Sequence, residues 1–366
     1  MNSRGGDRLM RLCLLLLIMI VALSGCTSNK LVDKIQLANT LGYDKKDTEY
    51  VGTALYPTYQ EKGNVKVNIL STVSASNYDI LPRLNSKSSM PIEQGQLKSV
   101  IFGKEFAEEG INTVVNSMVR DPVIGTRLHL AVAEQKAEQI LMAVQKLNDP
   151  FHLSQLIEHN IKNQNIPANN LHIFLYHYYG EGMDSYLPYL IAEGNAVKLD
   201  GLALFKKDKL VSTINLRQAF ILKLLLNETK GGRYQVHLKR ENQTGYVLLQ
   251  NLNSKSKLQI NRPDERPLMD IMIEIDAKIK DSPTWLNLTQ EDNINWIEKK
   301  FEEHFEEETV KLLKLCQQLK VDPVGIGAKF RAKVRSWNPK QYAEMYPEVQ
   351  FHVSVNVNIL QTGVGE

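Results

Sequence analysis

The chain has 366 residues, 43% of them hydrophobic and 23% charged; that length exceeds one typical core and that composition is close to the globular average, so two or three folded domains are expected and wholesale disorder is excluded. With 44 basic and 41 acidic side chains the formal charge is +3, too balanced for a protein whose main task is gripping nucleic acid. Three cysteines exclude a disulfide scaffold and a four-cysteine zinc site, and a single long apolar run at the extreme N-terminus excludes a polytopic membrane protein.

Arg4, Arg8 and Arg11 precede an unbroken apolar stretch from Leu12 to Leu23, followed by Ser24, Gly25 and Cys26. A basic region, about a dozen apolar residues and a small-residue cleavage site make a secretory signal, and the run falls short of the ~20 residues that span a bilayer. Leu23-Ser24-Gly25-Cys26 resembles the lipobox of bacterial lipoproteins. That resemblance implies a diacylglyceryl group on the Cys26 sulfur, palmitate-type acylation, and a cut that discards residues 1–25. An uncleaved anchor and an ordinary signal peptide are the competing readings. With Cys13 discarded and Cys26 carrying lipid, Cys316 is left as the one free thiol. Two acyl chains on one cysteine anchor durably, unlike a single chain.

Residues 31–41 carry Leu31, Ile35, Ala38 and Leu41 at helical spacing before Gly42. Residues 50–59 and 65–74, rich in Val, Thr and Tyr and separated by Gly63-Asn64, predict a β-hairpin. Residues 86–91 read as a polar loop and 97–102 as a strand stopped by Gly103. Residues 104–120 predict one or two helices, interrupted at Gly110 and ended by Asp121-Pro122. A strand over 126–133, a helix over 134–147 with Ala137, Ile140, Leu141 and Val144 inward, a helix over 153–162 and a strand over 172–179 follow. This order predicts a mixed α/β domain over 26–196.

The pattern restarts at 197. Residues 197–205 and 210–213 flank the charged turn Lys206-Lys207-Asp208-Lys209, a hairpin signal. A mostly apolar helix over 216–226 comes next. Residues 236–238, 246–249, 258–260 and 269–280 read as antiparallel strands, the last alternating Ile271, Ile273, Ile275, Ala277 and Ile279 against Glu274, Asp276 and Lys278. The longest helix is expected over 289–320, opened by a Thr289–Asp292 capping box and buried along Ile294, Ile297, Phe301, Phe305, Leu312, Leu315 and Leu319. An alternating strand over 351–360 closes the chain. The second domain, 197–366, is therefore antiparallel strands plus one long helix, and the whole chain is α+β and multi-domain.

Motifs for catalysis are weak. His172 and His177, five apart on an expected strand, point to opposite faces; His152 and His159 lack a completing carboxylate, so no metal or cofactor is expected. The run from Phe301 through Glu308 reads as a solvated acidic face around His304. Gly325-Ile326-Gly327 reads as a turn, and Cys316 as a packed thiol. Tyr176, Tyr178, Tyr179, Tyr186 and Tyr189 form an aromatic group for docking on a partner, or for core packing.

Several segments resemble the Ger(x)C spore-germination lipoproteins: Cys26, then Asp33-Lys34-Ile35-Gln36-Leu37 and Leu41-Gly42-Tyr43-Asp44, then the run from Gly95-Gln96-Leu97 to Phe102-Gly103 and Met118-Val119-Arg120-Asp121-Pro122. The hairpin from Leu199-Asp200-Gly201 to Lys209-Leu210, Asp322-Pro323-Val324-Gly325-Ile326-Gly327 and the last strand up to Gly363 are also similar. Many members place Trp-Asp directly after the lipid cysteine; here Thr27-Ser28 stands there. The resemblance implies a non-catalytic C subunit of a nutrient germinant receptor. It would sit on the outer face of the spore inner membrane, beside a multi-spanning A subunit and a permease-like B subunit. A lipid-anchored solute-binding protein of a transporter is the alternative. It would require two doubly wound lobes, which the second half does not predict; a secreted hydrolase ranks third.

Overall fold

A computed structural model describes residues 34–59, 64–226, 228–261, 267–334 and 337–362; the signal segment, the lipobox and Cys26 lie outside them. The first sheet has eight strands. In chain order they are β2 (Thr40–Lys46), β3 (Glu49–Tyr59), β4 (Val65–Ser74), β6 (Ser99–Phe102), β7 (His129–Ala133), β8 (Tyr186–Glu193), β9 (Ala196–Lys206) and β10 (Lys209–Asn215). Their spatial order is β10-β9-β8-β7-β6-β2-β3-β4. The inner strands β2, β6, β7 and β8 are parallel, and antiparallel hairpins flank them. All four residues of β6 are buried, as expected for a parallel strand covered on both faces. The short strands β1 (Gln36–Leu37) and β5 (Ile92–Glu93) form a separate parallel ladder.

Alternation along the strands divides the core in two. Ala54, Val100, Phe102 and Val132 face helices α1 (Ile80–Lys87), α2 (Lys104–Glu109), α3 (Asn112–Arg120) and α6 (Leu171–Tyr179). Leu55, Ile101, Ala131 and Leu204 face α4 (Ala137–Leu147), α5 (His152–Lys162) and α7 (Leu216–Leu226). This second cluster continues without a break into the second sheet, through Ile271, Ile273 and Ile275 to Phe301 and Phe305.

The second sheet has the order β11 (Arg233–Arg240), β12 (Gln243–Asn261), β13 (Leu268–Asp281) and β14 (Gln350–Gln361). Its inner face is the alternating Ile271–Ile279 stripe, all buried. The helix α8 (Glu291–Gln318) crosses over between β13 and β14, followed by α9 (Ile326–Lys333) and α10 (Pro339–Met345). At 28 residues, α8 is about 42 Å long. It returns the chain to the start of β13, so β14 pairs parallel to β13. The antiparallel group expected for the second half thus contains one parallel pair.

Other expectations are corrected. The described part of the helix expected over 31–41 is extended, as β1 and the start of β2. Residues 38–41 are all buried, the polar Asn39 and Thr40 included, and the three-residue spacing of Ala38 and Leu41 imitates a helical stripe. The strand expected over 172–179 is helix α6: Asn170 accepts the Ile173 amide at its N-cap, and Leu171, Phe174 and His177 are its buried positions. Cap and three-residue spacing outweigh the β-preference of its aromatic residues. Residues 86–87, expected in a loop, end α1. Residues 246–249 and 258–260 belong to one strand, β12, which a bulge near Asn251 passes from β11 to β13. The capping box is absent: Thr289 donates both its N–H and its hydroxyl to Asn287 Oδ1, and α8 starts at Glu291. Ile294, Leu315 and Leu319 are half-buried, while Leu313 and Cys316 complete the buried stripe.

The acidic face of α8 is only partly solvated. Glu298, Glu302 and Glu306 accept the backbone N–H groups of Ile359, Val357 and Val355 at 2.7, 3.1 and 3.0 Å. Four helical residues rise about 6 Å and two strand residues about 6.6 Å. A glutamate at every fourth position therefore meets every second amide of the sheet edge. Replacing Glu302 by Ala is expected to lower unfolding stability by about 1–2 kcal/mol by leaving that amide without its acceptor, while Gln, still an acceptor, costs less; equal urea midpoints for both variants and the parent would show that the ladder carries no stability.

The charged turn between β9 and β10 forms as expected, with Lys207 at φ 57°. Through β9 the hairpin pairs with β8 and completes the first sheet. Gly201 adopts φ +157°, and a Cβ built there would lie 1.9 Å from the Ile214 carbonyl oxygen of the facing strand. Gly201→Leu is therefore expected to destabilise by about 2–4 kcal/mol; an unchanged melting temperature would show that the two strands can part at no cost.

Candidate functional site

Where α8 ends, the chain folds back on the first sheet through Asp322. Its carboxylate is 3% exposed and accepts four hydrogen bonds: Oδ1 from the amides of Gly325 (2.9 Å) and Ile326 (3.0 Å), Oδ2 from the Gly327 amide (2.7 Å) and the Tyr342 hydroxyl (2.9 Å). Gly325, at φ +78°, turns the backbone so that these amides converge. Gly327 permits close approach: a Cβ there would lie 2.6 Å from Tyr342 Cε1 and 2.7 Å from Gly182 Cα. The expected turn is thus also an internal anion cradle.

Asp184, just before β8, meets the same residue. Its N–H donates to the Asp322 carbonyl at 2.9 Å, and its Oδ2 accepts the Asp322 N–H at 2.8 Å. The same Oδ2 accepts from Lys206 Nζ of β9 at 2.8 Å. Ala328 donates to the Gly182 carbonyl, and Tyr346 O–H to the Val321 carbonyl. Segments 180–185 and 320–346 are stitched together, and beside the seam lies a cleft of about 370 Å³ lined by His177, Asp184, Lys206, Lys320, Trp337 and Tyr342 among others. The Trp337 and Tyr342 rings pack at a tilt with centroids 5.3 Å apart, and Trp337 donates its indole N–H to Glu181.

Burial pushes the Asp322 carboxyl up to about 6, against the pull of the Gly327 and Ile326 amides and the Tyr342 hydroxyl. Burial and then the Asp322 charge hold the Tyr342 phenol far above its ordinary range. The same burial raises the Cys316 thiol to about 12, so it is a packed, protonated thiol at neutral pH. Burial depresses His177 to about 4, partly offset by Asp184.

Of the five tyrosines, Tyr176 and Tyr179 are 70% and 65% exposed; Tyr179 donates to Asn116. Tyr178 and Tyr189 are half-buried. Tyr186 is in the core at 4% exposure, its ring 5.5 Å from that of His177, so the five do not share one surface. Among the described residues no group of three or more His, Cys, Asp or Glu is placed to hold a metal ion. At the carboxyl ends of the parallel strands, where open α/β sheets hold anionic ligands, Asp44 takes the amides of Ala137 (2.6 Å) and Glu138 (2.9 Å) and so fills the N-terminus of α4 itself.

Sequence reading singled out Asp322 only through a family-like segment and missed Asp184, Lys206, Trp337 and Tyr342. The available signal was an Asp followed at +3 and +5 by glycines after a long helix. The partners come from distant segments and left none.

Two family models match the chain: one described as spore germination protein N-terminal domain over residues 28–192, the other as spore germination B3/GerAC like, C-terminal, over residues 200–363. Spore germination protein GerQC of Bacillus cereus is 31% identical over 360 residues, 98% of this chain and 100% of that one. The chain belongs to the GerAC-like spore germination family. Putative spore germination protein YfkR of Bacillus subtilis (strain 168) is 25% identical over 380 residues, covering 96% of each chain. The crystal structure of the GerBC protein shares the fold, with a TM-score of 0.57 over 87% of this chain and 96% of that one at 17% identity. In this GerAC-like protein the Asp184–Asp322 seam joins one residue from each matched region.

The two cleft titrations have opposite signs. Asp322, raised on folding, favours the folded state below about pH 4 and loses that contribution as pH rises to about 6. His177, depressed on folding, favours it above its ordinary value of 6.5 and loses that contribution as pH falls to about 4. His177→Leu is therefore expected to gain on the parent as pH falls from 6.5 to about 4, by at most about 3 kcal/mol. Melting temperatures of both proteins at pH 7 and pH 4.5 measure it; a constant difference would mean that the buried imidazole titrates normally.

Proposed function

We propose that this protein is the C-type subunit of a spore nutrient germinant receptor, held by lipid on Cys26 to the outer face of the spore inner membrane. It acts by docking on the receptor's membrane subunits, a multi-spanning A subunit and a permease-like B subunit, and not by catalysis. The observation that carries the reading is the full-length match to a spore germination protein, with both family models in order along one chain. The lipobox arithmetic supports the anchor, and among the described residues no helix is long and apolar enough to cross a membrane. We place the boundary of the two modules at residues 196/197, at the start of β9, although both modules share one buried cluster. The solute-binding alternative loses support, since the second sheet is an antiparallel meander with one parallel edge and not a doubly wound lobe.

A docking surface begins with the exposed Tyr176 and Tyr179 on α6; Tyr178 and Tyr189 would flank it, and Tyr186 would support it from the core. An anchor confines the protein near its partners, so individually weak contacts suffice. Cys26→Ala is expected to leave the precursor uncut or the chain off the membrane, and to abolish nutrient-triggered germination. Tyr176→Asp with Tyr179→Asp should abolish germination while fold and membrane level stay normal. Co-purification from solubilised spore membranes decides the reading. A protein recovered alone, from spores that germinate normally without it on every nutrient tried, would overturn it.

A further inference from the structure

The chain enters the described fold at one end of the first sheet. The Gln36 amide donates to the Pro91 carbonyl at 2.8 Å, and Ala38 to Glu93 at 2.9 Å. At the same end Lys98 donates to Asn39 and His129 to Lys98, at 2.9 and 3.0 Å. Residues 94–98, the end of α3 and the loop 121–127 therefore lie beside the entry point, at the amino ends of β2, β6 and β7. The two segments touch: a Cβ on Gly95 would lie 3.4 Å from Val123 Cγ1.

The loop is held from within and apolar outside. Asp121 Oδ1 accepts the Val123 amide at 3.0 Å, and Ile124 is buried beneath it. Val119 and Val123 are nevertheless 49% and 58% exposed. Around them Lys98, Arg120 and Arg127 are exposed, and among the described residues none of the three is in an ion pair. The carboxyl ends of the same strands carry both signs: Asp47, Glu49, Glu105, Glu108 and Glu134 are exposed there, and so are Lys46, Lys104 and Lys136. An anionic surface attracts the first end more than the second.

Chain length selects the same end. Nine residues lie between Cys26 and Gln36, a reach of at most about 35 Å, while a domain of this size is about 50 Å across. We propose that the end of α3 and the loop after it, residues 119–127, with Lys98, form a membrane-contact surface: Val119 and Val123 enter the headgroup region of an anionic bilayer, and Lys98, Arg120 and Arg127 pair with lipid phosphates. The proposal rests on the anchored reading of Cys26 and adds an orientation to it. Three cations near such a surface are too few to bind a free protein but enough to orient one already anchored.

The test uses full-length protein, processed in a lipoprotein-competent host and reconstituted into phosphatidylglycerol-containing vesicles with nitroxide-labelled headgroups. Cys26 carries lipid and Cys316 is buried, so a cysteine placed at Val123 or at Glu105 takes a fluorophore selectively. Val123→Cys is expected to be quenched about threefold or more beyond Glu105→Cys, and the difference should vanish in high salt or with Lys98, Arg120 and Arg127 all changed to Glu. Val119→Cys gives a second reporter. Protein that floats with the vesicles while both ends are quenched alike overturns the orientation and leaves the anchor standing. Protein that fails to float overturns the anchor, and the orientation with it.

Discussion

The carboxylate of Asp322 is the constraint on which the junction of the two sheets depends. It is fully buried, and it would be unaffordable there without four donors directed at it. Three donors are amides of its own turn; the fourth, Tyr342, comes from α10. Its backbone is tied to Asp184 in both directions. The end of α8, the start of α9, the helix α10 and the entry to β8 are thereby fixed to one point. The glycines at 325 and 327 are the geometric condition: one supplies a left-handed turn, the other the space in which Gly182 and Tyr342 approach.

The long helix serves two surfaces of the second sheet. Its apolar stripe from Ile297 to Cys316 covers the inner face, and its glutamates cover the amides along the free edge of β14. Covering an edge with side chains is a recognised way to prevent strand addition. Here it follows from the near match between four helical residues and two strand residues. Together with the shared cluster that runs from Leu202 to Phe305, it makes the halves of the chain one packed body.

Local patterns foretold most of the elements. The Ile271–Ile279 alternation, the charged β9–β10 turn and the apolar positions of α4 stand where spacing put them, because each is decided by neighbours within a few residues. Errors arose where tertiary burial overrode local pattern. Ala38 and Leu41 are buried with the polar Asn39 and Thr40 buried between them, so their three-residue spacing imitated a helix. Helix α6 is rich in aromatic residues that propensity assigns to strands, and only its Asn170 cap and three-residue spacing tell otherwise. The parallel placement of β14 depends on where a 28-residue helix returns the chain, which no window of sequence contains. The seam was least legible, since Asp184, Lys206, Asp322 and Tyr342 meet only after both sheets are built.

The side chains best suited to chemistry are committed to structure. Asp322 has its donors, Cys316 is held as a thiol, and the Asp44 carboxylate occupies the helix N-terminus at the carboxyl ends of the parallel strands. Among the described residues, the features left on the outside include an aromatic pair on α6, a carboxyl-end face of mixed charge, and a basic-apolar end beside the point where the chain enters. Were the chain held by lipid close to that point, as proposed, the basic-apolar end would set which side meets the bilayer. A rigid body so oriented would need only modest contact area to select a partner, because an anchor removes most of the translational freedom that binding from solution must overcome.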